Sequence, residues 1–235
     1  MKVWNWEGFW SYFTNLYLLE GALWTIGLTI STLIFGGLLG LLLALMRLSR
    51  HKWMSRTAQG YVWIFRGTPL LVQLIIIYTG LPQLGLVRFS VIESAVLGLA
   101  LNEAAYLSEI LRGGILSVPK GQTEAARALG LKPYQIFRLV VLPQALRVII
   151  PPLGNSVNGL LKTTSIASVI SMEEVLRRGQ ILMQQKFQVL EVFMVVAVIY
   201  LVMTTCWDFV QRRIEAHYGR AYGAAADHQL ARDDH

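Results

Sequence analysis

Residues 21–46 read GALWTIGLTISTLIFGGLLGLLLALM, a stretch without one charged side chain. As a helix it is long enough to cross roughly 30 Å of hydrocarbon with some tilt. The segment decides the solvent: this chain is built for lipid. The composition agrees. Of 235 residues, 54% are hydrophobic and 15% charged, with a mean hydropathy of +0.50, too apolar and too sparsely charged for an ordinary soluble domain.

Working outward, Trp4, Trp6, Trp10, Tyr12 and Tyr17 precede this span. Their amphipathic rings suit headgroup depth, so residues 1–20 read as an interfacial segment. Residues 1–7 lack a basic region followed by a short apolar stretch and a small-residue cleavage site, so no cleaved signal peptide is expected. After the span come Arg47, Arg50, His51, Lys52 and Arg56 without an acidic residue. That concentration marks the cytoplasmic side and places the N-terminus outside. Within the span, Gly36, Gly37 and Gly40 fit close packing against another helix.

Further apolar segments follow at residues 59–81, 91–111, 139–161 and 189–210. The expectation is an all-α polytopic membrane protein of about five transmembrane helices filling residues 21–213, with no room for a second sizeable domain. Residues 112–138 form a second cytoplasmic loop, polar and Ala-rich. Pro143, Pro151, Pro152 and Gly154 predict a kinked fourth span. Residues 162–188 are polar, with a short helix expected over 171–184. This connection is placed outside although Lys162, Arg177, Arg178 and Lys186 outnumber Glu173 and Glu174, which runs against the positive-inside rule. Arg212 and Arg213 put the last helix end in the cytoplasm, and residues 214–235 read as a disordered cytoplasmic tail.

The net charge of +7 is scattered between apolar segments and makes no basic face, which excludes a nucleic-acid partner. Cys206 is alone, inside an apolar segment, and reads as a small hydrophobe. The four histidines lack the spaced partners of a metal site, and no nucleophile with a base and an orienting group can be read. Residues 154–163 superficially suggest a phosphate loop, but Leu160 and Leu161 separate Gly159 from Lys162, so the chain should not bind ATP itself.

The loop 112–138 carries a spaced pattern: Glu124-Ala125-Ala126, three residues, Gly130, nine residues, Val140, one residue, Leu142-Pro143. Pro119 fits the first turn of a short helix, the alanines propagate it, Gly130 permits the left-handed residue that ends it, and a second helix can start at Pro133. The small Ala face would let another protein approach closely. This spacing resembles the EAA loop of ABC importer permeases, with Val140 in place of the usual Ile. The runs Phe65-Arg66-Gly67-Thr68-Pro69-Leu70, Gly121-Gln122, Pro143-Gln144-Ala145 and Lys162-Thr163-Thr164-Ser165 look like the polar amino acid permease family, and the resemblance covers about residues 21–210. Residues 78–83, with Leu101-Asn102 and Ala104-Ala105-Tyr106, are most similar to cystine permeases.

The resemblance implies a type I ABC importer transmembrane domain in the bacterial inner membrane. Two permease subunits, a copy of itself or a paralogue, would form the pathway, and a dimer of ATPase subunits holding ATP and magnesium would sit beneath it. An extracytoplasmic solute-binding protein would deliver the cargo, and the permease itself would carry no cofactor. Glu124, Ala125, Ala126 and Gly130, with Gly121, would dock into the ATPase and transmit its motion.

Ionisable groups at bilayer depth are costly and normally face a cavity or a partner. Asn102, Tyr106 and Glu109 share a helical face, with Glu103 about 100° away from Asn102. Glu103 would neutralise the ammonium of a bound amino acid while Asn102 and Tyr106 supply hydrogen bonds. The alternative is a salt bridge to Arg147 or Arg66, or a carboxylate kept protonated. Asn155, Asn158 and Lys162 recur at helical spacing, so Asn155 and Asn158 either meet the solute or bond across helices. Arg66 reads as an interface or packing anchor. Two rivals remain: an ion-coupled carrier working without an ATPase, and a membrane-embedded enzyme using Glu103 or Glu109 as acid or base.

Overall fold

The computed structural model describes residues 4–233, with side chains described as far as Tyr218, and every regular element among the described residues is a helix. Helix α1 (Trp6–Phe13) starts where the Asn5 side chain accepts from the Gly8 amide at 3.0 Å, and α2 (Leu16–Leu48) starts where Asn15 accepts from Tyr17 at 2.9 Å. Both caps satisfy amide donors that a helix start leaves free.

Helices α3 (Lys52–Gly67) and α4 (Leu70–Gln83) form a pair bent by 102°. The expected single span over 59–81 is therefore broken. The cause is local: Pro69 has no N–H to continue a helix and drives Thr68 into extended dihedrals, φ −122° and ψ 145°. Helix α5 (Val91–Leu116) begins with a capping box between Ser90 and Glu93, and α6 (Lys120–Ala128) follows after a short turn.

Helix α7 (Pro133–Ile170) passes through a π turn at Phe137–Val141, holds Pro151 and Pro152 without ending, and tightens into a 3₁₀ coil at Thr164–Ile170. Ser171, with φ 66°, stops it. Helices α8 (Val175–Lys186) and α9 (Val189–Asp233) are separated by Phe187 in the left-handed region, φ 53°. The segment expected to be a disordered tail continues the backbone of α9, and its side chains beyond Tyr218 lie outside the described residues.

By length and composition α2, α7 and α9 can each cross a membrane, and the bent pair α3–α4 has the length and hydropathy for a fourth crossing if the two halves are one broken span. Helix α5 carries Glu93, Asn102, Glu103 and Glu109, which dilute its hydropathy. Its 26 residues measure about 39 Å and pack against α2, α3, α4 and α7, so that Glu103 is buried and Asn102 and Glu109 are partly covered, while Glu93 at the start of the helix is exposed. Small residues make the α2–α5 contact close. A Cβ at Gly40 would lie 3.0 Å from Leu107 Cβ and 3.1 Å from the Ala104 carbonyl oxygen, and one at Gly36 would lie 3.0 Å from the Ala100 oxygen. Gly37 faces away, with nothing within 4 Å.

The connection between the last two spans is folded into the bundle. Ala167, Ile170 and Met172 pack with Leu28, Leu70, Leu74, Ala95 and Leu99 in the main core. The short helix starts at Val175, later than expected, because Glu174 is its cap: the carboxylate accepts from the Arg177 amide at 2.9 Å and from Tyr200 of α9. Arg178, only 7% exposed, donates to Glu20 at 2.7 Å and to the Tyr17 carbonyl at 2.8 Å, and stacks over the Tyr17 ring. That cation of the anomalously basic connection is thus used inside the fold.

Candidate solute cleft and coupling helix

The broken α3–α4 pair, the middle of α5 and the proline-bearing stretch of α7 enclose an open cleft of about 840 Å³. It is lined by Asn102, Glu103, Tyr106 and Asn155 of the residues marked from sequence, together with Arg66, Thr68 and Ser156. Glu103 is 9% exposed and accepts from the Ser156 hydroxyl, and among the described residues no cation pairs with it. Glu109 is different. Its carboxylate is neutralised by Arg47 at the end of α2 and by Arg112 one turn on, at 3.0 Å.

Arg66, read from sequence as an anchor, reaches the cleft with its guanidinium carbon 5.3 Å from the centre of the Tyr106 ring. Asn102 donates to the Phe65 carbonyl and to Gln73 Oε1, both at 3.1 Å. Asn155 accepts from Gln211 at 3.2 Å, whereas Asn158 turns out of the cleft and donates to Asp208 of α9. Gln73 and Ser156 were not marked by the sequence. A glutamine in the apolar run 70–77 was the available signal for the first; an isolated serine gives none.

At one end of α5 lies the second feature. Helix α6 carries Gly121, Glu124 and Ala125 on exposed positions, while Ala126 is buried, and the helix packs against residues 133–141 at the start of α7. Gly130 adopts φ 79°, and its amide donates to the Arg127 carbonyl at 3.0 Å while Leu131 donates to Ala126 at 3.2 Å. These two bonds are a Schellman closure, and they require the left-handed residue that glycine supplies without strain. Leu129 is left 82% exposed beside it as an apolar tip.

Residues 36–220 match the family described as binding-protein-dependent transport system inner membrane component. The chain belongs to this family. It is a membrane-embedded permease subunit of an ABC importer with the type I fold, and is not itself an enzyme. The permease is 38% identical over 230 residues to the arginine transport system permease protein ArgU of Corynebacterium glutamicum, covering 92% of this chain and 73% of that protein. It is 42% identical over 198 residues to the octopine transport system permease protein OccM of Rhizobium radiobacter, covering 81% of each. Among solved structures, an amino acid ABC transporter crystallised with histidines superposes with a TM-score of 0.85 at 36% identity, over 92% of this permease and all of that chain. The methionine transporter MetNI, at 23% identity and a TM-score of 0.71, shares the fold.

Proposed function

We propose that this permease moves polar amino acids into the cell, driven by ATP hydrolysis in a partner subunit. One observation carries the choice of cargo: Glu103 is a buried carboxylate in the cleft with which no cation pairs among the described residues. An α-ammonium group would supply that charge, and Arg66 on the same cleft would take the α-carboxylate. Tyr106 and Asn155 then border the side chain, with Asn102 beside them. Cystine is the first solute to test on the narrower resemblance, and arginine the second on the name of a relative.

The partners follow from the same reading. Two ATPase subunits with ATP and magnesium would each receive one α6, a second permease subunit would close the open side of the cleft, and an extracytoplasmic binding protein would deliver the solute. The N-terminus lies outside and the C-terminal end in the cytoplasm, with α6 on the ATPase side. Tyr106 and Leu116 lie on one continuous helix, about 15 Å apart, so a push on α6 acts on the cleft wall as a lever rather than through a flexible loop.

The test is reconstitution with the ATPase and binding protein encoded beside this chain, followed by uptake of labelled amino acids. Glu103→Gln keeps the volume and an acceptor for Ser156 while removing the charge, and should raise the apparent KM at least tenfold. Uptake by Glu103→Gln at the unaltered rate and affinity would refute the cargo assignment. Uptake by the permease without ATPase, under an ion gradient alone, would favour a carrier.

A further inference from the structure

We infer that Gln73 and Asn102 form a two-amide clasp that fixes the α3–α4 break and so aims Arg66 into the cleft, positioning the recognition surface without touching the cargo. This rests on the cleft being the solute site. A helix that stops inside a membrane leaves its last carbonyls without amide partners and without water to replace them. Here the Nε2 of Gln73, on α4 and 8% exposed, shares its two N–H donors among the Phe65 carbonyl at 3.0 Å, the Thr68 carbonyl at 3.2 Å and the Thr68 hydroxyl at 2.8 Å. That hydroxyl donates in turn to the Ile64 carbonyl at 2.9 Å.

From the other side, Asn102 of α5 sends one N–H to the same Phe65 carbonyl and the other to Gln73 Oε1. A primary amide has two N–H donors, so both are committed although the residue borders the cleft. Two amides from two helices thus converge on one carbonyl. The residue that follows it is Arg66, and Gly67 beyond has open space where a side chain would be. Fixing Phe65 and Thr68 therefore fixes the direction in which Arg66 leaves the backbone, over Tyr106.

The experiment uses the assembled transporter in vesicles. Gln73→Leu removes the amide at similar volume and should raise the KM for uptake about tenfold, with the maximal rate within twofold of wild type. Asn102→Leu should do the same, whereas in an Arg66→Ala background, where no guanidinium is left to aim, neither substitution should raise KM further. A further rise from Asn102→Leu in that background would mean that Asn102 contacts the cargo by itself and would overturn the clasp, as would unchanged KM with merely lower yield. If Gln73→Leu does not fold, Gln73→Glu keeps the size and loses the donor.

A second readout needs no transport. In a Cys206→Ser background, Arg66→Cys is labelled with a water-soluble maleimide, and adding Gln73→Leu should change the labelling rate at least threefold. An unaltered rate overturns the clasp. Absence of ATP-dependent uptake in wild type, by contrast, would refute the transport reading while the labelling still decides the clasp.

Discussion

Replacing Gly40 with leucine tests the close crossing of α2 and α5. The first added atom alone would sit 3.0 Å from Leu107 Cβ and 3.1 Å from the Ala104 carbonyl oxygen, and neither is the free end of a flexible side chain. The helices must part, and three further carbons enlarge the gap. Overpacking of a well-filled core costs about 1–3 kcal/mol, and four added carbons argue for the upper end. At roughly 2–4 °C per kcal/mol for a chain of this length, the unfolding midpoint should fall by about 6–12 °C. The gain in helix propensity on losing a glycine, up to about 1 kcal/mol, works the other way. Gly37→Leu isolates that gain, since nothing lies within 4 Å of its Cβ. Both variants are read by fluorescence-detected gel filtration after heating in detergent at one fixed rate, because unfolding of such a protein is treated as kinetic. Equal midpoints for Gly40→Leu and Gly37→Leu would refute the reasoning.

At the coupling helix, Gly130→Val forces a β-branched residue to φ 79° and should weaken co-purification of the ATPase, while Gly130→Asn, which tolerates that region, should retain most of it; equal association of both would show that the left-handed turn is dispensable. In the connection before α9, Arg178→Ala leaves the Tyr17 and Glu173 carbonyls without their donor and should cost about 1–3 kcal/mol, seen as a lowered midpoint. Glu20→Gln should cost under about 1 kcal/mol, because Glu20 is 63% exposed and water replaces its share of the ion pair. A larger loss from Glu20→Gln than from Arg178→Ala would contradict this account.

Much of the architecture was legible because lipid imposes a simple rule: long uncharged runs must be helices, and the runs ending at Met46, Leu161 and Val210 lie within helices α2, α7 and α9. The short helix α6 was legible for a local reason, since the alanines that propagate it and the glycine that ends it lie within one dozen residues. The cleft was half legible. Asn102, Glu103, Tyr106 and Asn155 stood out because polar groups are costly at that depth, and they do converge on one cleft; Asn158 carried the same signal and turns instead to Asp208.

What escaped the sequence depended on partners far away along the chain. The Arg66 side chain is aimed by bonds to Phe65 from Gln73 and from Asn102, the latter 37 positions distant, and Arg178 is held by Tyr17, 161 positions away. By itself the sequence determined that this chain crosses the membrane as helices and carries a short Ala-rich helix closed by a glycine, because hydropathy and helix termination are properties of contiguous residues. Only the tertiary structure decided which polar groups neutralise one another and which, like Glu103, meet no cation among the described residues, because that depends on distances between helices that no linear spacing encodes.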